Sequence, residues 1–248
     1  MHTLSIITVT YNAERYIEPT LKSVSDQIFT DYEHLIIDGA SDDTTLAIVN
    51  QYKREQLIVF SEPDNGLYDA MNKAVHKATG QYIMFLNAGD VFFNNETLQQ
   101  VFSKSEGQDF IYGDTLVQEE NGKTRPYHKK KPEQNGFSYR SFINGMVICH
   151  QSMIAKRDKV ATYANEKYKI ACDIDWAIRT TKNCKTFLDS DMVICKFLDG
   201  GVSQSNRLTA IRERFWISVA HYGWMRTLIQ QCTIGINYAI NIICKNIR

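Results

Sequence analysis

Four short runs of β-branched and aromatic residues, each followed by a polar turn and a helical pattern, most constrain how this chain folds. The runs are residues 4–10 (LSIITVT), 32–37 (YEHLII), 57–60 (LIVF) and 82–86 (YIMFL). Between them, as over residues 13–28, apolar residues recur at steps of three and four, which is typical of amphipathic helices. Strands that alternate with helices in this way predict βαβ units and a mainly parallel sheet.

Polar residues gather at the end of each predicted strand. They are Tyr11 and Asn12 after the first, Asp38 after the second, Asp64 and Asn65 after the third, and Asn87 and Asp90 after the fourth. The carboxyl ends of parallel strands lie at one edge of the sheet, and open α/β sheets bind ligands beyond that edge. We therefore expect the functional site there.

Composition narrows the class of protein. With 248 residues, the chain can form one sizeable α/β domain and a small appendage. Its 28 basic residues balance its 28 acidic residues, which argues against a nucleic-acid partner held by bulk charge. No two of the six cysteines stand at the short spacing of a zinc site, and residues 1–5 carry no signal-peptide pattern. We therefore expect free thiols and a cytoplasmic location.

The usual glycine-rich phosphate sites are missing from the sequence. The turn after the first strand reads YNAER instead of G-x-G-x-x-G, and neither G-x-x-x-x-G-K-[ST] nor G-x-S-x-G occurs. A nucleotide bound at the strand ends would need another counter-charge for its phosphates. A divalent cation held by strand-end carboxylates is the expected substitute, because Mg²⁺ and Mn²⁺ prefer oxygen ligands.

Four motifs, in order along residues 3–205, resemble those of family 2 glycosyltransferases. They read SIITVTYNAERYI, LIIDGASDDTT, EPDNGLYDAMNKAVHKATGQYIMFLNAGDVF and ACDIDWAIR. The nearest subgroup makes O-antigen, capsule and exopolysaccharide. The resemblance implies an α/β GT-A fold, with a mainly parallel, Rossmann-like sheet flanked by helices. It also implies inverting sugar transfer from a UDP-, GDP- or dTDP-sugar, with Mn²⁺ or Mg²⁺ as cofactor.

The resemblance further implies a nucleotide site at the first two strand ends. Val9 and Tyr11 match positions that contact the base, and Asp38 matches a carboxylate that accepts the imino N–H of the base. An ionised carboxylate only accepts hydrogen bonds, so it would reject bases without that donor. The alternatives are that Asp38 caps its own turn and that Tyr11 is a core aromatic residue.

The middle motif extends this nucleotide site by resemblance. Asp64, Asn72 and Lys73 are expected near the ribose or the diphosphate, with Lys73 supplying the positive charge that relatives place at Met71. Asp69 and Lys73 also stand four residues apart, so an ordinary ion pair on a helix surface is equally consistent with the sequence.

Two aspartates are expected to carry the chemistry. Asp90 is the predicted metal ligand, although the family's Asp-x-Asp signature reads Asn87-Ala88-Gly89-Asp90 here, so phosphate oxygens and water must complete the coordination. Asp173 is the predicted general base at the start of a helix, and Asp175 is its rival. A cap of the adjoining helix or turn is the alternative role for each.

Weaker contacts are expected from a second group of residues. His150 and Gln151 match a pair that is frequent in the subgroup and would contact the acceptor or the metal side, although a lone His is often structural. Gly201 would belong to a loop that closes over the diphosphate, or to a simple turn. Lys129, Lys130 and Lys131 could attract an anionic acceptor, or form solvated surface.

The C-terminal segment is the second predicted unit: residues 1–205 form the transferase domain and 206–248 a helical extension. Gln230, Thr233, Asn237 and Asn241 form a polar stripe opposite Ile229, Cys232, Ile236, Ile240 and Ile243. Such an amphipathic helix would lie on a membrane surface, or pack on the domain or on a second subunit of a homodimer.

The family resemblance, together with the amphipathic C-terminal segment, implies an enzyme that extends a polyprenyl-diphosphate-linked glycan at the inner face of the plasma membrane. Gly89 and Cys172 stand where relatives have acidic residues, which leaves a catalytically weak sugar-nucleotide or glycan binding module as the alternative. A sugar nucleotidyltransferase is disfavoured, because that class needs a glycine-rich N-terminal loop that carries arginine.

Overall fold

The computed structural model describes residues 2–119, 121–127, 135–200 and 206–233, and nine strands within them form one sheet. The strands are β1 Leu4–Thr10, β2 Tyr32–Asp38, β3 Leu57–Ser61, β4 Tyr82–Phe85, β5 Val91–Phe92, β6 Phe110–Gln118, β7 Thr124–Pro126, β8 Met153–Lys156 and β9 Phe187–Leu198. The helices are α1 Ile17–Ser25, α2 Thr45–Gln51, α3 Leu67–Lys77, α4 Thr97–Lys104, α5 Cys172–Asn183 and α6 Arg207–Tyr222. Two 3₁₀ helices span Tyr139–Asn144 and His150–Ser152, and residues 224–233 are also helical.

The N-terminal half of the sheet has the predicted parallel arrangement. Its strand order is β3-β2-β1-β4, and all three pairings are parallel. Thr10 pairs with Asp38, and Asp38 pairs with Ser61, so the ends of these three strands are level. The residues of β1 and β2 are buried throughout, as expected for strands covered on both faces.

The other half of the sheet is mixed. β8 runs antiparallel to both β4 and β6, β6 runs parallel to β9, and the short β5 pairs antiparallel with β9. Because Val91 pairs with Lys196, the turn after β4 is drawn against the end of β9. The mixed half of the sheet therefore borders the region beyond the ends of the parallel strands on its other side.

Three local predictions need correction. The apolar run 146–149 predicts a strand from its sequence, but it forms bends, because β8 fills the place beside β4 and β6. The polar and basic composition of residues 115–140 predicts a mobile loop, but the described part of this stretch contains the end of β6, strand β7 and the start of a 3₁₀ helix. Residues 120 and 128–134, including the lysine run, lie outside the described ranges. The first helix is α1, which is shorter than the predicted span 13–28.

The C-terminal segment packs on the α/β domain through the inner side of α6. Ala210 and Ile217 are buried there, and Ile217 belongs to the main core cluster with Trp176 of α5. No helix within the described ranges is long and apolar enough to cross a membrane. Residues 234–248, which include most of the predicted polar and apolar stripes, lie outside the described part of the chain.

Candidate active site

Tyr11, Gly39 and Asp64 come together at the ends of the parallel strands. A Cβ atom on Gly39 would lie 2.6 Å from Asp64 Oδ2 and 3.3 Å from the Tyr11 ring, so a larger residue would displace the Asp64 carboxylate. Tyr11 is 64% exposed, which is incompatible with its alternative role as a core aromatic residue, whereas Val9 is buried in β1. The result is an exposed aromatic face beside a carboxylate.

Asp38 lies below this point and is fully buried. Its carboxylate accepts hydrogen bonds from the Ser41 backbone N–H and hydroxyl, and from the Ser61 hydroxyl at 2.7 Å. The turn-capping role is therefore present in the structure. Each carboxylate oxygen has two acceptor sites, so these bonds leave acceptor capacity for a base N–H, and that contact stays a prediction.

The loop between β3 and α3 is held by its own acidic residues. Asp64 Oδ1 accepts the Gly66 N–H at 2.8 Å, and Asp69 Oδ2 accepts the Asn65 N–H at 2.9 Å. Lys73 donates to the Pro63 carbonyl at 2.7 Å and lies 3.7 Å from Asp69 Oδ2. The i,i+4 pair is thus present, and Lys73 places its positive charge against the loop that carries Asp64.

Asn72 has a structural role that the sequence did not indicate. Its side-chain oxygen accepts the Tyr163 N–H at 2.6 Å, and its NH₂ group donates to the Tyr163 carbonyl at 3.0 Å. Both ends of the amide are used to clamp α3 to the segment before α5. The predicted ribose or diphosphate contact of Asn72 would require these bonds to break.

The turn Asn87-Ala88-Gly89-Asp90 is fastened to α1 by Thr20. The Thr20 hydroxyl accepts the Gly89 N–H at 2.9 Å and donates to the Asp90 carbonyl at 2.8 Å. Gly89 has φ +99, and a Cβ atom there would lie 2.9 Å from Leu198. Both features favour glycine at position 89.

Asp90 is almost completely buried behind this turn. Burial raises the pKa of Asp90 to about 7, although hydrogen bonds from the Leu198 N–H and the Gln151 side chain oppose the shift. The Cys149 thiol donates to Gln151 Oε1 at 2.9 Å, which leaves the amide NH₂ group of Gln151 to face Asp90. Gln151 is therefore a residue that positions Asp90.

The side chains around Asp90 are of the kind that binds a divalent cation, but they are few. Asn87 Oδ1 is buried and has no hydrogen-bond partner within the described residues. An oxygen ligand is therefore available in the same turn as Asp90, three residues before it. No group of three or more His, Cys, Asp or Glu residues in the described ranges is arranged to hold a metal. The protein would thus supply few ligands, as is common for Mg²⁺ bound with substrate phosphates.

A cavity of about 470 Å³ adjoins Gly89 and reveals a residue that the sequence analysis missed. It is lined by Arg15, Tyr16, Pro19, Gly89, Val91, Gln118 and Leu198. Arg15 follows the YNA turn, where no motif marks it as special. Only the folded chain shows that Arg15 lines the same cavity as Gly89.

Asp173 lies at the start of α5 and is partly exposed. Burial raises its pKa, while the Ile174 N–H, at 2.9 Å, and the charge of Arg214 lower it. The nearby charge of Asp173 adds to burial in raising the pKa of the phenols of Tyr68 and Tyr127. A carboxylate with a raised pKa among phenols and an arginine is suited to accept a proton.

The segment before α5 contacts the start of α3. The hydroxyl of Tyr68, in the first turn of α3, donates to the Ile170 carbonyl at 2.9 Å. Since α3 begins directly after the Asp64 loop, this bond joins that loop to the segment carrying Asp173. Cys172, at the family's glutamate position, is buried and donates to the Tyr168 carbonyl.

Asp175, the rival base, is buried and fully engaged. Its Oδ2 pairs with Arg179 at 2.7 Å, and its Oδ1 pairs with His221 of α6 at 2.8 Å. Burial acts to raise the pKa of Asp175, but the bonds from His221 and Arg179 outweigh it, so the pKa is lowered. These contacts give Asp175 a structural role that joins α5 to α6.

Asp175→Asn is expected to lower the free energy of unfolding by about 2–3 kcal/mol, between the values for exposed and buried ion pairs. Urea unfolding at neutral pH measures the loss, with Asp158→Asn, at an exposed pair with Lys159, as the control. Because the folded-state pKa of Asp175 is depressed, its stabilisation disappears as the pH falls through that pKa. Equal stability of the Asp175→Asn and Asp158→Asn variants would contradict the assignment.

His150 is also structural. Its Nε2 bonds to the Tyr163 hydroxyl at 2.7 Å, and its ring packs 4.9 Å from that of Trp176. Burial lowers the pKa of His150 to about 3, so the ring is neutral. It packs inside the aromatic core, which does not support the predicted contact with acceptor or metal. Gly201, the other predicted contact, lies outside the described residues.

Comparisons with known proteins agree with this architecture. Residues 5–163 match the family model described as glycosyl transferase family 2. A PGL/p-HBAD biosynthesis glycosyltransferase of Mycobacterium bovis is 32% identical over 187 residues, which is 72% of this chain and 70% of that protein. S. aureus TarS 1–349 in complex with UDP has a TM-score of 0.69 at 21% identity, over 89% of this chain and 65% of that chain.

A third comparison concerns the metal. Glucosyl-3-phosphoglycerate synthase from Mycobacterium tuberculosis, crystallised with Mn²⁺ and UDP, has a TM-score of 0.58 at 14% identity. The similar region covers 90% of this chain and 80% of the synthase chain. These structural similarities show that the chain has a GT-A type of fold. The match over residues 5–163 goes further, and the chain belongs to glycosyltransferase family 2.

Proposed function

We propose that this protein moves a sugar from a UDP- or GDP-type sugar nucleotide onto a hydroxyl of a glycan, with inversion at the anomeric carbon. The main support is the partly exposed Asp173 at the sheet edge that also carries Tyr11, Asp38 and Asp64. We further propose that the acceptor is a polyprenyl-diphosphate-linked glycan, extended at the cytoplasmic face of the membrane for a cell-surface polysaccharide.

In this proposal the chain's own residues bind, orient and move one proton. Tyr11 stacks on the base, and Asp38 accepts its imino N–H. Asp173 takes the proton of the acceptor hydroxyl while that oxygen bonds to the anomeric carbon, and the bond to the diphosphate breaks with its electron pair. Arg15 faces the departing diphosphate from the cavity beside Gly89. Positioning and one base suffice for such a displacement.

A divalent cation held by Asn87 and Asp90 would neutralise charge on the diphosphate when bound. The buried Asn87 Oδ1, which has no hydrogen-bond partner in the described part of the chain, supports this part of the proposal. The small number of protein ligands leads us to expect that the metal binds with the sugar nucleotide and only weakly without it.

A release assay over UDP-, GDP- and dTDP-sugars, with Mn²⁺, Mg²⁺ or a chelator, tests the function. We expect one nucleoside diphosphate class to be released, in a manner that depends on a glycan acceptor and is stimulated by the cation. Tight binding of a sugar nucleotide without turnover under any condition would instead support the binding module, which Gly89 and Cys172 favour. Full turnover in the chelator would remove the metal from the proposal and leave the transferase.

A further inference from the structure

The outer surfaces of α6 and of helix 224–233 carry large apolar side chains that face away from the protein. Seven of them are between 45% and 84% exposed: Leu208, Ile211, Trp216, Trp224, Met225, Leu228 and Ile229. We call these residues, together with Phe215, the apolar patch. Soluble monomeric proteins rarely expose so many large apolar residues side by side, so the apolar patch calls for a partner.

Helical spacing places these side chains opposite the face that packs on the domain. In helix 224–233 the buried residue is Thr227, whereas Met225, Leu228 and Ile229 are exposed at steps of three and four. In α6 the inner side buries Ala210 and Ile217. Both helices are thus apolar on the side where a helix on the surface of a soluble domain is normally polar.

Aromatic contacts join the two helices into one surface. The ring centroids of Phe215 and Trp216 lie 5.9 Å and 5.4 Å from that of Trp224. Gly223, with φ +82, makes the turn between the helices. Both exposed tryptophans of the chain therefore stand together at the middle of the apolar patch.

The exposed charges within residues 206–233 have one sign. Residues 206–233 contain four arginines and a single acidic residue, Glu213. The Glu213 carboxylate is turned inward, where it accepts the backbone N–H groups of residues 169, 170 and 171. Arg212 and Arg226 are exposed beside the apolar side chains. Tryptophan next to arginine, without exposed acid, is the composition that binds an anionic lipid interface.

We propose that α6 and helix 224–233 dock this protein on an anionic membrane surface through the apolar patch. Membrane binding itself is independent of the transferase chemistry. The role of membrane binding in sugar transfer rests on the proposed function. The inner side of α6 holds the segment before Asp173 through Glu213, and it holds α5 through the pair of His221 with Asp175. The docking helix therefore also sets the place of the proposed base relative to a lipid-linked acceptor.

Vesicle binding by the full chain tests the proposal. Vesicles of phosphatidylglycerol and phosphatidylcholine should co-sediment the protein, and phosphatidylcholine alone should bind it far less. Brominated lipids should quench Trp216 and Trp224 but not Trp176, which is buried in the core. Leu228→Glu with Ile229→Glu should weaken binding by at least about tenfold, since apolar area drives insertion.

A matched pair of substitutions controls for surface apolarity in general. Ile58→Glu with Val59→Glu changes two residues of β3 that are each 38% exposed, and this variant should bind vesicles like the wild type. Equal vesicle binding by both double variants would overturn the proposal. A second result would also overturn it: the wild type does not bind anionic vesicles and is a dimer in light scattering, and Leu228→Glu with Ile229→Glu dissociates that dimer. The apolar patch would then be a subunit interface. Failure of sugar transfer alone would leave the vesicle result unchanged.

Discussion

Asp173→Asn is expected to lower kcat by about 10²–10⁴-fold, the usual contribution of a general base. The substitution keeps the size of the side chain and an oxygen that can accept the Ile174 N–H, so the start of α5 should stay in place. What it removes is the capacity to take the proton of the acceptor hydroxyl. Steady-state kinetics should therefore show a loss in kcat with little change in the KM for the sugar nucleotide.

Asp175→Asn is the informative control for this result, because it lies on the same helix and has the opposite role. It should lower the free energy of unfolding while retaining most of the turnover of the folded protein, whereas Asp173→Asn should do the reverse. Full turnover in the Asp173→Asn variant would exclude Asp173 as the base. Family membership rests on the sequence match, so it would stand.

The pH profile of the wild type gives a second check on Asp173. Burial raises its pKa above the ordinary aspartate value of 3.8, so turnover should fall as the pH drops through that raised pKa. Arg214 lowers the pKa of Asp173, and Arg214→Gln should therefore move this acid limb to higher pH. A limb that stays in place would show that another group titrates.

The parallel half of the sheet was predictable because its signals are local. Each strand of β1 to β4 is a short apolar run next to a helix, and right-handed βαβ connections leave few other arrangements. The placement of Tyr11, Asp38 and Asp64 at one edge followed from that topology. The family resemblance added roles that the spacing alone does not define.

The second half of the sheet and its side-chain contacts depend on pairings between distant residues. β8 lies between β4 and β6, and nothing local to residues 146–149 shows that an apolar run there forms bends. The same holds for Asn72, whose partner is Tyr163, and for Asp175, whose partner is His221. Polar residues of this kind have the same appearance in a sequence whether they bind substrate or clamp the fold.

Arg15 is a residue at the candidate site that the sequence analysis could not identify. A single arginine in a turn has no sequence signal, and its position beside Gly89 arises only when α1 packs next to the turn after β4. By contrast, glycine at position 89 was visible in the sequence as a departure from the family motif, while the backbone conformation that favours it was not. Gly89 has φ +99, which residues other than glycine rarely adopt.

Asp38→Asn is expected to reduce strongly the preference of the nucleotide site for one base over another. The wild type should bind UDP over CDP, or GDP over ADP, because an ionised carboxylate accepts an imino N–H but repels a ring nitrogen that is itself an acceptor. A hydrogen bond to a charged group is worth about 1.5–3 kcal/mol, so the preference should be about 10- to 150-fold. An asparagine can donate as well as accept, and the preference should shrink towards one.

Measuring the ratio separates base recognition from the capping role of Asp38. The carboxylate also holds Ser41 and Ser61, so any substitution there loosens the turn and weakens all nucleotides. Ser61→Ala is the matched control: it removes one of these bonds but keeps the carboxylate, and should lower the affinity for every base to a similar degree. If Asp38→Asn lowers the affinities for UDP and CDP equally, as Ser61→Ala does, then Asp38 only caps its turn. The base would then be read by Tyr11 and the backbone of β1, at the same edge of the sheet.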